Sequence, residues 1–444
     1  MEHVTGLPAR YYLSRSRVIY TPKDTFRKTN GSEMSSRSTS SSESILSRRM
    51  QTMSSSAIRD LLRHSKIPGM ISLAGGIPAP DLIDTEGLEA ATFRAVESAR
   101  NTTYQYGLTE GEMFLREEIA SRMVAQGISA EPDHILVTSG SQQALDIVAR
   151  AFLDEGDSVL VEEPTYLAAL QVFDMAGAQT LVFQGDQYGI DFTRLESLVA
   201  NNRIKLMYLV PNFSNPTGTT LPLPERTKLV EFAIRHDIMI VEDDPYGDLR
   251  YDGEHVASLF EIAEQSFNSK NRVIYISSFS KTVAPGLRLG WCIPPESYFH
   301  SLCRAKQSMD LHSSTLSQYI AGYYLKSGRL DGRLQLLKKA YKCRRDALIK
   351  AISEHLPDAL ELNVPDGGMF LWGRFANGLD ASLVLQQALS HHVMFVPGKY
   401  FYCEIPDLSS VRLSFSTITP SLADEAVKRL AIAIQRTEQR ETQE

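Results

Sequence analysis

From about residue 130 onward, short apolar runs alternate with amphipathic helical stretches, and this alternation restricts the chain to few folds. The apolar runs do not alternate with polar residues, which indicates strands that are buried on both faces. Buried strands separated by helices predict an α/β fold, a mostly parallel seven-stranded sheet covered by helices on both faces. The predicted strands are 135–138, 158–162, 180–183, 204–211, 238–242, 273–277 and 287–292.

The last part of the chain predicts a smaller α+β domain. A long helical pattern from 332 to about 355 precedes strand patterns near 360–364, 368–374 and 411–415, and an amphipathic helix follows from about residue 421. We therefore predict four segments, namely a tail, an N-terminal arm, a large domain and a small domain. Their boundaries are 1–45, 46–100, 101–330 and 331–444.

The tail is basic, polar and rich in serine, and it contains the run Ser35-Ser-Arg-Ser-Thr-Ser-Ser-Ser-Glu43. Such a composition buries too little apolar surface to offset the conformational entropy that is lost on ordering, and it therefore predicts disorder. Its arginines would also suit a targeting peptide, which Glu2 and Asp24 disfavour. A disordered tail is therefore the preferred interpretation, and a targeting signal is the alternative.

Composition removes several classes of function. The net charge of −7 gives no support to nucleic-acid binding. No apolar run reaches the roughly 18 residues that predict a membrane span. The four cysteines are scattered without a C-x-x-C pair, and the ten histidines form no metal-binding motif. We expect free thiols, no metal and a cytoplasmic protein, with a mitochondrial location as the alternative.

Lys281 lies just beyond the apolar strand 273–277, in Ser278-Phe-Ser-Lys281. Burial at the end of a strand disfavours the ammonium form, lowers the pKa and leaves an amine that can form a Schiff base. Arg288 follows with a planar fork of donors suited to phosphate, and Ser278 and Ser280 add hydroxyls. An amine nucleophile beside a phosphate cradle is what pyridoxal phosphate requires. A solvated surface lysine is the alternative.

Polar clusters follow three more of the predicted strands, where ligands of parallel sheets collect. Ser141 starts a helix after Thr138-Ser-Gly140, which predicts an anion site or a plain helix cap. Asn215, in Asn215-Pro-Thr-Gly218, is aimed at the sheet edge unless the motif is merely a turn. Asp243 and Tyr246 could serve a pyridine nitrogen and a phenolic oxygen, unless their segment is a solvated acidic turn.

Two further side chains are candidates for ligand contact. Arg412, in the predicted strand 411–415, could clamp a substrate α-carboxylate through two parallel hydrogen bonds, or could simply form a surface ion pair. Tyr166, in Glu163-Pro-Thr-Tyr166, could stack on a planar cofactor, a contact worth about 0.5–1.5 kcal/mol beyond the area that it buries.

From about residue 45 to 437, the chain resembles fold-type I pyridoxal-phosphate-dependent aminotransferases of class I/II. Among these it is similar to the branch that acts on aromatic amino acids, kynurenine and 2-aminoadipate. The motifs that carry the resemblance are Ile71-Ser-Leu-Ala-Gly-Gly76, Ser139-Gly-Ser-Gln-Gln143, Asn215-Pro-Thr-Gly218, Asp243-Asp-Pro-Tyr246, Ser278-Phe-Ser-Lys281 and Arg412-Leu-Ser-Phe415. The tail has no counterpart in this family pattern.

The resemblance implies a role for each matching residue. Lys281 would be the Schiff-base lysine and proton shuttle, Asp243 would pair with the pyridine nitrogen, and Tyr246 would bond the phenolic oxygen. The residues implied to bind the cofactor are Ser141, Gln142, Tyr166, Asn215, Asp243, Tyr246, Ser278, Ser280, Lys281, Arg288 and Tyr106. Those implied to bind substrate are Arg412, Asn215, Gly76 and Arg59, and a helix salt bridge is the alternative for Arg59.

Tyr106 matches a family tyrosine that reaches the phosphate of the neighbouring subunit. The resemblance thus implies a homodimer with shared active sites, in which the large domain binds the cofactor and the arm joins both the small domain and the dimer. The implied activity is ping-pong transfer of the amino group of L-tryptophan, L-phenylalanine or L-tyrosine to a 2-oxo acid. The acceptor would be 2-oxoglutarate or an aryl pyruvate, and the arylpyruvate product could serve specialised metabolism.

Three alternatives remain open at this stage. Kynurenine or 2-aminoadipate could be the donor, since Arg59 could meet an acidic side chain. A pyridoxal-phosphate lyase or synthase of the same fold would share most of these motifs. A transcription regulator with an aminotransferase-like domain is strongly disfavoured, because the Ser-rich tail lacks the helical periodicity of a DNA-binding domain.

Overall fold

The computed structural model describes residues 45–52, 57–183, 185–186, 189–267 and 272–441. The predicted tail at 1–45 lies outside the described residues except for its last position. Residues Arg48–Glu444 form one compact unit, which holds both the large and the small sheet. The predicted boundaries at 100 and 330 stay predictions. No helix in the described ranges combines the length and apolar character needed to cross a membrane.

Short strands make up two main sheets and two minor pairings. The strands are β1 (Ile71–Ser72), β2 (Leu136–Thr138), β3 (Ser158–Glu162), β4 (Gln179–Phe183), β5 (Gly185–Asp186), β6 (Gly189–Ile190), β7 (Ile204–Leu209), β8 (Met239–Asp243), β9 (Val273–Ser278), β10 (Gly290–Ile293), β11 (Leu360–Asn363), β12 (Phe370–Phe375), β13 (Val393–Met394), β14 (Val396–Pro397) and β15 (Ser410–Ser414).

Helices flank the sheets and join successive strands. They are α1 (Arg48–Thr52), α2 (Ala57–Leu62), α3 (Thr85–Ser98), α4 (Met113–Ala125), α5 (Ser141–Phe152), α6 (Leu167–Ala176), α7 (Phe192–Asn201), α8 (Leu223–Arg235), α9 (Leu259–Phe267), α10 (Glu296–Asp310), α11 (Thr315–Lys326), α12 (Arg329–His355), α13 (Ala381–Ser390) and α14 (Pro420–Glu441).

The large sheet confirms the predicted α/β layer. Within the described residues it has seven strands in the order β2-β10-β9-β8-β7-β3-β4. Strand β10 runs antiparallel to both of its neighbours, and the pairs from β9 to β4 are all parallel. Every residue of β8 and β9 is buried, as expected for central strands covered on both faces. The loops that follow β7, β8 and β9 therefore meet at one edge of the sheet.

The smaller sheet is antiparallel, with the strand order β11-β12-β15-β14, as the α+β pattern predicted. Helices α12 and α14 pack against each other beside it. Strand β1, from the predicted N-terminal arm, pairs in parallel with β13, so the arm adds backbone hydrogen bonds to the 393–394 segment. This pairing also leads the chain from β1 directly to Gly76, at the edge of the large sheet.

One strand boundary differs from the prediction for a local reason. The strand predicted at 287–292 begins at Gly290, because Pro285–Leu287 forms a 3₁₀ turn and Arg288 has a positive φ of 53°. A left-handed residue cannot continue a strand. The apolar run thus hides a turn, and this turn sets the position of the Arg288 side chain.

Candidate active site

A cavity of about 480 Å³ lies at the edge of the large sheet where the parallel strands end. Side chains from both sheets and from the N-terminal arm line it. The lining residues are Ile58, Leu62, Gly76, Ile77, Ser141, Gln142, Tyr166, Leu167, Ala168, Gln171, Val210, Asn215, Asp243, Pro245, Tyr246, Ser278, Ser280, Lys281, Pro285, Arg288, Phe370, Phe401 and Arg412. Most of the predicted site residues are therefore brought together here, although their places in the chain span more than 300 positions.

Lys281 reaches into this cavity from the loop after β9. Its Nζ donates a hydrogen bond of 2.8 Å to the carbonyl oxygen of Gly76 and lies 5.9 Å from the ring centre of Tyr246. Burial lowers the pKa of Lys281 to about 8, and the charges of Arg412 and Arg288 add to this effect. A larger fraction of this amine than of an ordinary lysine is consequently neutral near physiological pH and able to act as nucleophile or base.

Asp243 ends β8 and is 2% exposed, so the alternative of a solvated acidic turn is wrong. Its Oδ2 accepts a hydrogen bond of 2.9 Å from the Tyr208 hydroxyl, whereas its Oδ1 is buried without a partner among the described residues. Burial raises the pKa of Asp243 to about 7, and the Tyr208 hydrogen bond and the Lys281 charge oppose that rise. A buried carboxylate oxygen without a hydrogen-bond donor indicates a binding site for a ligand that supplies such a donor.

The preceding residue, Glu242, serves a structural purpose. Successive strand residues point to opposite faces of a sheet, so the Glu242 carboxylate lies away from the cavity. It accepts hydrogen bonds of 2.9 Å from the backbone N–H groups of Leu259 and Phe260, at the start of α9. The acidic run thus divides into a helix-capping glutamate and a cavity-facing aspartate.

The phosphate end of the cavity is formed by the start of α5. Gly140 has a φ of +87°, and a Cβ built there would lie 2.7 Å from Nη2 of Arg288. Glycine is required for both reasons. Nη2 of Arg288 donates to the carbonyl oxygen of Ser139 at 3.3 Å, and this bond holds the guanidinium beside the helix. The backbone N–H groups at the start of α5 and the adjacent guanidinium make a site for a phosphate dianion.

Hydroxyl and amide groups complete this end of the cavity. Ser278 is buried at the end of β9, and its Oγ accepts a hydrogen bond of 3.4 Å from the backbone N–H of Ser280. Gln142 is exposed in the first turn of α5, and its Nε2 donates to the carbonyl oxygen of Ala168 at 3.3 Å. Tyr166 lies partly buried just before α6, where its ring lines the cavity.

Arg412 enters the cavity from β15 of the small sheet and is 4% exposed. Its guanidinium lies between two aromatic rings, 4.4 Å from the centre of Phe370 and 4.9 Å from that of Phe401. It donates to Oδ1 of Asn215 at 2.6 Å and to the carbonyl oxygen of Ala74 at 2.7 Å. Its Nε is buried without a partner in the described part of the chain.

The surroundings of Arg412 leave its charge uncompensated. Burial lowers the pKa of Arg412 to about 10, and the opposing electrostatic contributions come from Tyr246 and Tyr166 instead of from a carboxylate. Within the described ranges, the ion pairs of the protein do not include Arg412. A buried, unpaired guanidinium favours an anionic ligand, because a buried charge is costly without a counter-charge.

Asn215 is positioned by an arginine that the sequence patterns did not single out. Arg226, in α8, is fully buried and donates to the carbonyl oxygens of Pro211 and Leu221, at 2.8 Å each. It also donates to Oδ1 of Asn212 at 2.7 Å. These bonds fix both ends of the loop that carries Asn215.

Replacing Arg226 by Ala is expected to lower the free energy of unfolding by about 3–5 kcal/mol, because several buried acceptors lose their donor. Urea denaturation followed by circular dichroism measures this loss. Arg235→Ala is the matched control in the same helix, since Arg235 is exposed and pairs with Glu196 at 2.9 Å. We expect the control to cost about 0–1 kcal/mol. Equal losses in the two variants would show that Arg226 does not hold the loop.

One predicted residue, Tyr106, is not among the described residues that line the cavity. Tyr106 is 77% exposed and packs edge-on against His312, with ring centres 5.7 Å apart. Arg59 lies in α2 between cavity-lining Ile58 and Leu62, but its side chain is outside the described residues. Their assigned roles therefore stay predictions.

Three residues that line or support the cavity were not predicted from the sequence. Phe370 and Phe401 flank Arg412, and Tyr208 supports Asp243. The sequence does give one indication for Tyr208. A tyrosine within an apolar, buried strand needs a hydrogen-bond partner for its hydroxyl. The contacts of the phenylalanines link segments that are distant in the chain, and local patterns do not reveal them.

The groups in the cavity match the parts of pyridoxal phosphate. The start of α5 with Arg288 suits the phosphate, and the unpartnered Oδ1 of Asp243 suits a protonated ring nitrogen. The Lys281 amine suits the aldehyde. Tyr246 and Asn215 offer donors to the phenolic oxygen at the same wall of the cavity. The residues present therefore fit this cofactor.

Comparison with known proteins gives the same result. A family model described as aminotransferase class I and II matches residues 70–430. Aromatic-amino-acid aminotransferase 1 of Thermococcus litoralis is 38% identical over 398 residues, which cover 88% of this chain and 94% of that protein.

Two solved structures are also closely similar. The α-aminoadipate aminotransferase LysN of Thermus thermophilus, complexed with N-(5'-phosphopyridoxyl)-L-leucine, superposes with a TM-score of 0.82 at 34% identity, covering 89% of this chain and 99% of that one. The kynurenine aminotransferase of Pyrococcus horikoshii superposes with a TM-score of 0.83 at 35% identity, covering 89% and 98%.

Fold and site together thus define an enzyme of fold type I that uses pyridoxal phosphate. The chain belongs to the class I and II aminotransferase family, and its activity is that of a pyridoxal-phosphate-dependent aminotransferase.

Proposed function

We propose that this aminotransferase moves the amino group of L-tryptophan, L-phenylalanine or L-tyrosine to 2-oxoglutarate or an aryl pyruvate, in two ping-pong half-reactions. The observation that carries the proposal is the apolar wall of the cavity beside Arg412. The wall consists of Ile58, Leu62, Ile77, Leu167 and Phe401. An aromatic side chain buried against such a wall gains about 25 cal/mol for each Å² removed from water. The similarity to the aromatic aminotransferase of Thermococcus litoralis supports the same choice.

The proposed roles follow from the positions of the side chains. Arg412 binds the α-carboxylate of the substrate through its guanidinium fork, with Asn215 and Gly76 beside it. This contact fixes the orientation of the Cα–H bond relative to Lys281. Lys281, whose amine is held at Gly76 O, removes the α-proton and later returns one.

When bound, pyridoxal phosphate supplies an aldehyde for amine exchange and a ring that delocalises the electrons of the broken Cα–H bond. Asp243 holds the ring nitrogen protonated through its free Oδ1, and Tyr166 packs on the ring face. Ser141, Gln142, Ser278, Ser280 and Arg288 hold the phosphate. Tyr246 and Asn215 donate to the phenolic oxygen. The common location of these groups at one cavity supports the assignments.

A second donor class has specific support. The α-aminoadipate and kynurenine aminotransferases superpose on this chain over 89% of its length. Arg59 would provide the counter-charge for an acidic side chain, since its neighbours Ile58 and Leu62 line the cavity. The aromatic donor is nevertheless our first choice, because the cavity lining includes the apolar side chains of Ile58, Leu62, Leu167 and Phe401.

A homodimer with shared sites is part of the proposal. Tyr104, Tyr106 and Leu108 are 68%, 77% and 62% exposed, and three large apolar side chains exposed in one short segment favour an interface. Tyr106 would reach the phosphate of the neighbouring subunit.

We also propose a cytoplasmic location, because all four cysteines are free, as in a reducing compartment.

The absorbance spectrum of the purified holoenzyme tests the donor. We expect a yellow band from the lysine-bound cofactor that disappears on addition of L-tryptophan without acceptor, and that returns with 2-oxoglutarate. Each half-reaction should proceed to one equivalent per site, because the amino group stays on the enzyme between the two steps. Titration with L-phenylalanine, L-tyrosine, kynurenine and 2-aminoadipate ranks the donors by the concentration that converts half of the sites.

The outcomes of this titration differ clearly. A band that ignores the three aromatic amino acids and responds to 2-aminoadipate would overturn the aromatic donor and establish the second class. A cofactor-reconstituted protein without any yellow band would overturn the role of Lys281. Loss of the band with release of ammonia would indicate elimination, the reaction of a lyase.

A further inference from the structure

Tyr208 is a fully buried tyrosine whose hydroxyl contacts Asp243. It lies near the end of β7 with 0% exposure, and its hydroxyl donates to Oδ2 of Asp243 at 2.9 Å. Strands β7 and β8 are parallel neighbours, and their register pairs Tyr208 with Val241 and Leu209 with Glu242. The long tyrosine side chain thus spans the short distance along the sheet to Asp243.

The Tyr208 ring has a fixed position. Phe173, in α6, packs edge-on against it with ring centres 5.8 Å apart. Helix α6 is the one that starts directly after Tyr166, so the same helix supports the cavity wall and the Tyr208 ring. Tyr208 does not line the cavity itself. We therefore expect its main influence on the cofactor to pass through Asp243, to which it is hydrogen-bonded.

The hydrogen bond from Tyr208 gives the two carboxylate oxygens of Asp243 different roles. Oδ2 is occupied by Tyr208, and Oδ1 is left without a partner inside the described part of the chain. Burial and the neighbouring Asp243 charge raise the pKa of Tyr208, so its hydroxyl stays protonated and remains a donor. A donor to one oxygen stabilises the ionised carboxylate, which burial alone would favour in its neutral form.

We propose that Tyr208 is a positioning residue for the cofactor: it aims Oδ1 of Asp243 at the pyridine nitrogen and keeps that carboxylate ionised. The inference rests on the proposed function of this site, in which Asp243 holds the ring nitrogen protonated. The inference adds a residue outside the cavity to that function. Through Asp243, Tyr208 influences both the affinity for the cofactor and the rate of proton removal.

The test is Tyr208→Phe, which removes the hydroxyl and keeps the ring. We expect the apo protein of the variant to bind pyridoxal phosphate about 10-fold more weakly, because a hydrogen bond to a charged group is lost. Equilibrium titration by absorbance measures this affinity and requires no substrate. With substrate, kcat should fall more than KM rises, since a protonated ring nitrogen matters most when the Cα–H bond breaks.

The affinity should also shift with pH in a defined direction. The hydroxyl of Tyr208 lowers the pKa of Asp243, so in the variant the carboxylate takes up its proton at higher pH. The acid-side loss of cofactor affinity is therefore expected at higher pH than in the wild type. The other ionisable groups that face Asp243, namely Asp244, Tyr246 and Lys281, are unchanged in this comparison.

The matched control is Tyr324→Phe. Tyr324 is a second buried tyrosine that donates to an aspartate, Asp84, at 3.1 Å and away from the cavity. The control should lose similar stability and keep wild-type cofactor affinity. In an Asp243→Ala background, Tyr208→Phe should cause no further loss of affinity, because the acceptor through which Tyr208 acts is absent.

Wild-type affinity together with an unshifted acid-side loss of affinity in Tyr208→Phe would overturn the inference. A full additional loss in the Asp243→Ala background would overturn it as well. Should Tyr208→Phe fold poorly, Phe173→Leu provides the second test. It frees the Tyr208 ring without removing the hydroxyl, and we expect weaker cofactor binding. An unchanged affinity in Phe173→Leu would then count against the inference. Failure of the wild-type protein to bind pyridoxal phosphate would instead overturn the proposed function.

Discussion

Lys281→Ala is expected to abolish transamination of every donor and to prevent the formation of the yellow band. The amine of Lys281 is held in the cavity at Gly76 O, and its pKa of about 8 leaves it reactive near neutral pH. A positioned general base contributes about 10²–10⁴-fold to a rate, and this variant also loses the covalent attachment of the cofactor. Absorbance of the reconstituted variant and a coupled assay for the 2-oxo acid product measure the two losses.

The control for this prediction is Lys228→Ala, the same substitution at an exposed lysine that pairs with Glu225 at 3.4 Å. It should retain wild-type spectrum and turnover. Normal turnover in Lys281→Ala would remove this lysine from the mechanism. Retention of bound phosphate-containing cofactor without a yellow band would instead match the prediction, because Ser141 and Arg288 of the phosphate site are still present in this variant.

The parallel sheet explains why so much of the site is predictable from sequence. Asn215, Asp243 and Lys281 each follow a buried apolar run, and parallel strands bring their carboxyl ends to one edge. Local pattern therefore implies a shared location without any knowledge of distance. The same reasoning placed Ser141 there, because the helix that follows β2 starts at that edge.

Sequence patterns do not reveal contacts between distant segments. Phe370, in β12, and Phe401, in the 3₁₀ turn Gly398–Phe401, enclose Arg412, and each is an ordinary core residue by its local pattern. Arg226 looks like a surface residue of an amphipathic helix, yet it is fully buried. Its burial is possible because carbonyl groups of two loops satisfy its donors, and loop carbonyl positions follow from the tertiary fold alone.

The Glu242-Asp243 pair shows which features of the site can be predicted from the sequence and which cannot. Local composition favours a solvated turn for consecutive acids, whereas both carboxylates are buried in a strand. Their opposite directions follow from strand geometry once the strand is known to extend to Asp243. What the sequence lacks is the partner of each: the start of α9 for Glu242, and Tyr208 for Asp243.

Arg412→Ala is expected to raise KM for every amino-acid donor, with kcat/KM falling by roughly 30-fold or more, since loss of a buried charged contact costs about 2–5 kcal/mol. In the described part of the chain the guanidinium has no carboxylate partner, and in the proposed function the substrate α-carboxylate supplies the counter-charge. Initial rates with tryptophan and with 2-aminoadipate measure the effect. Similar losses for both are expected, because the α-carboxylate is common to all donors.

Two comparisons separate a carboxylate clamp from a merely structural arginine. Arg412→Lys keeps a charge and loses the fork, so we expect partial recovery of KM; Arg374→Ala, on the neighbouring strand with an exposed ion pair to Asp407, should leave KM unchanged. Because the Arg412 charge also lowers the pKa of Lys281, its removal should move deprotonation of the free lysine in the apo protein from about pH 8 to higher pH. Unchanged KM in Arg412→Ala would show that the α-carboxylate binds elsewhere, whatever the pKa of Lys281.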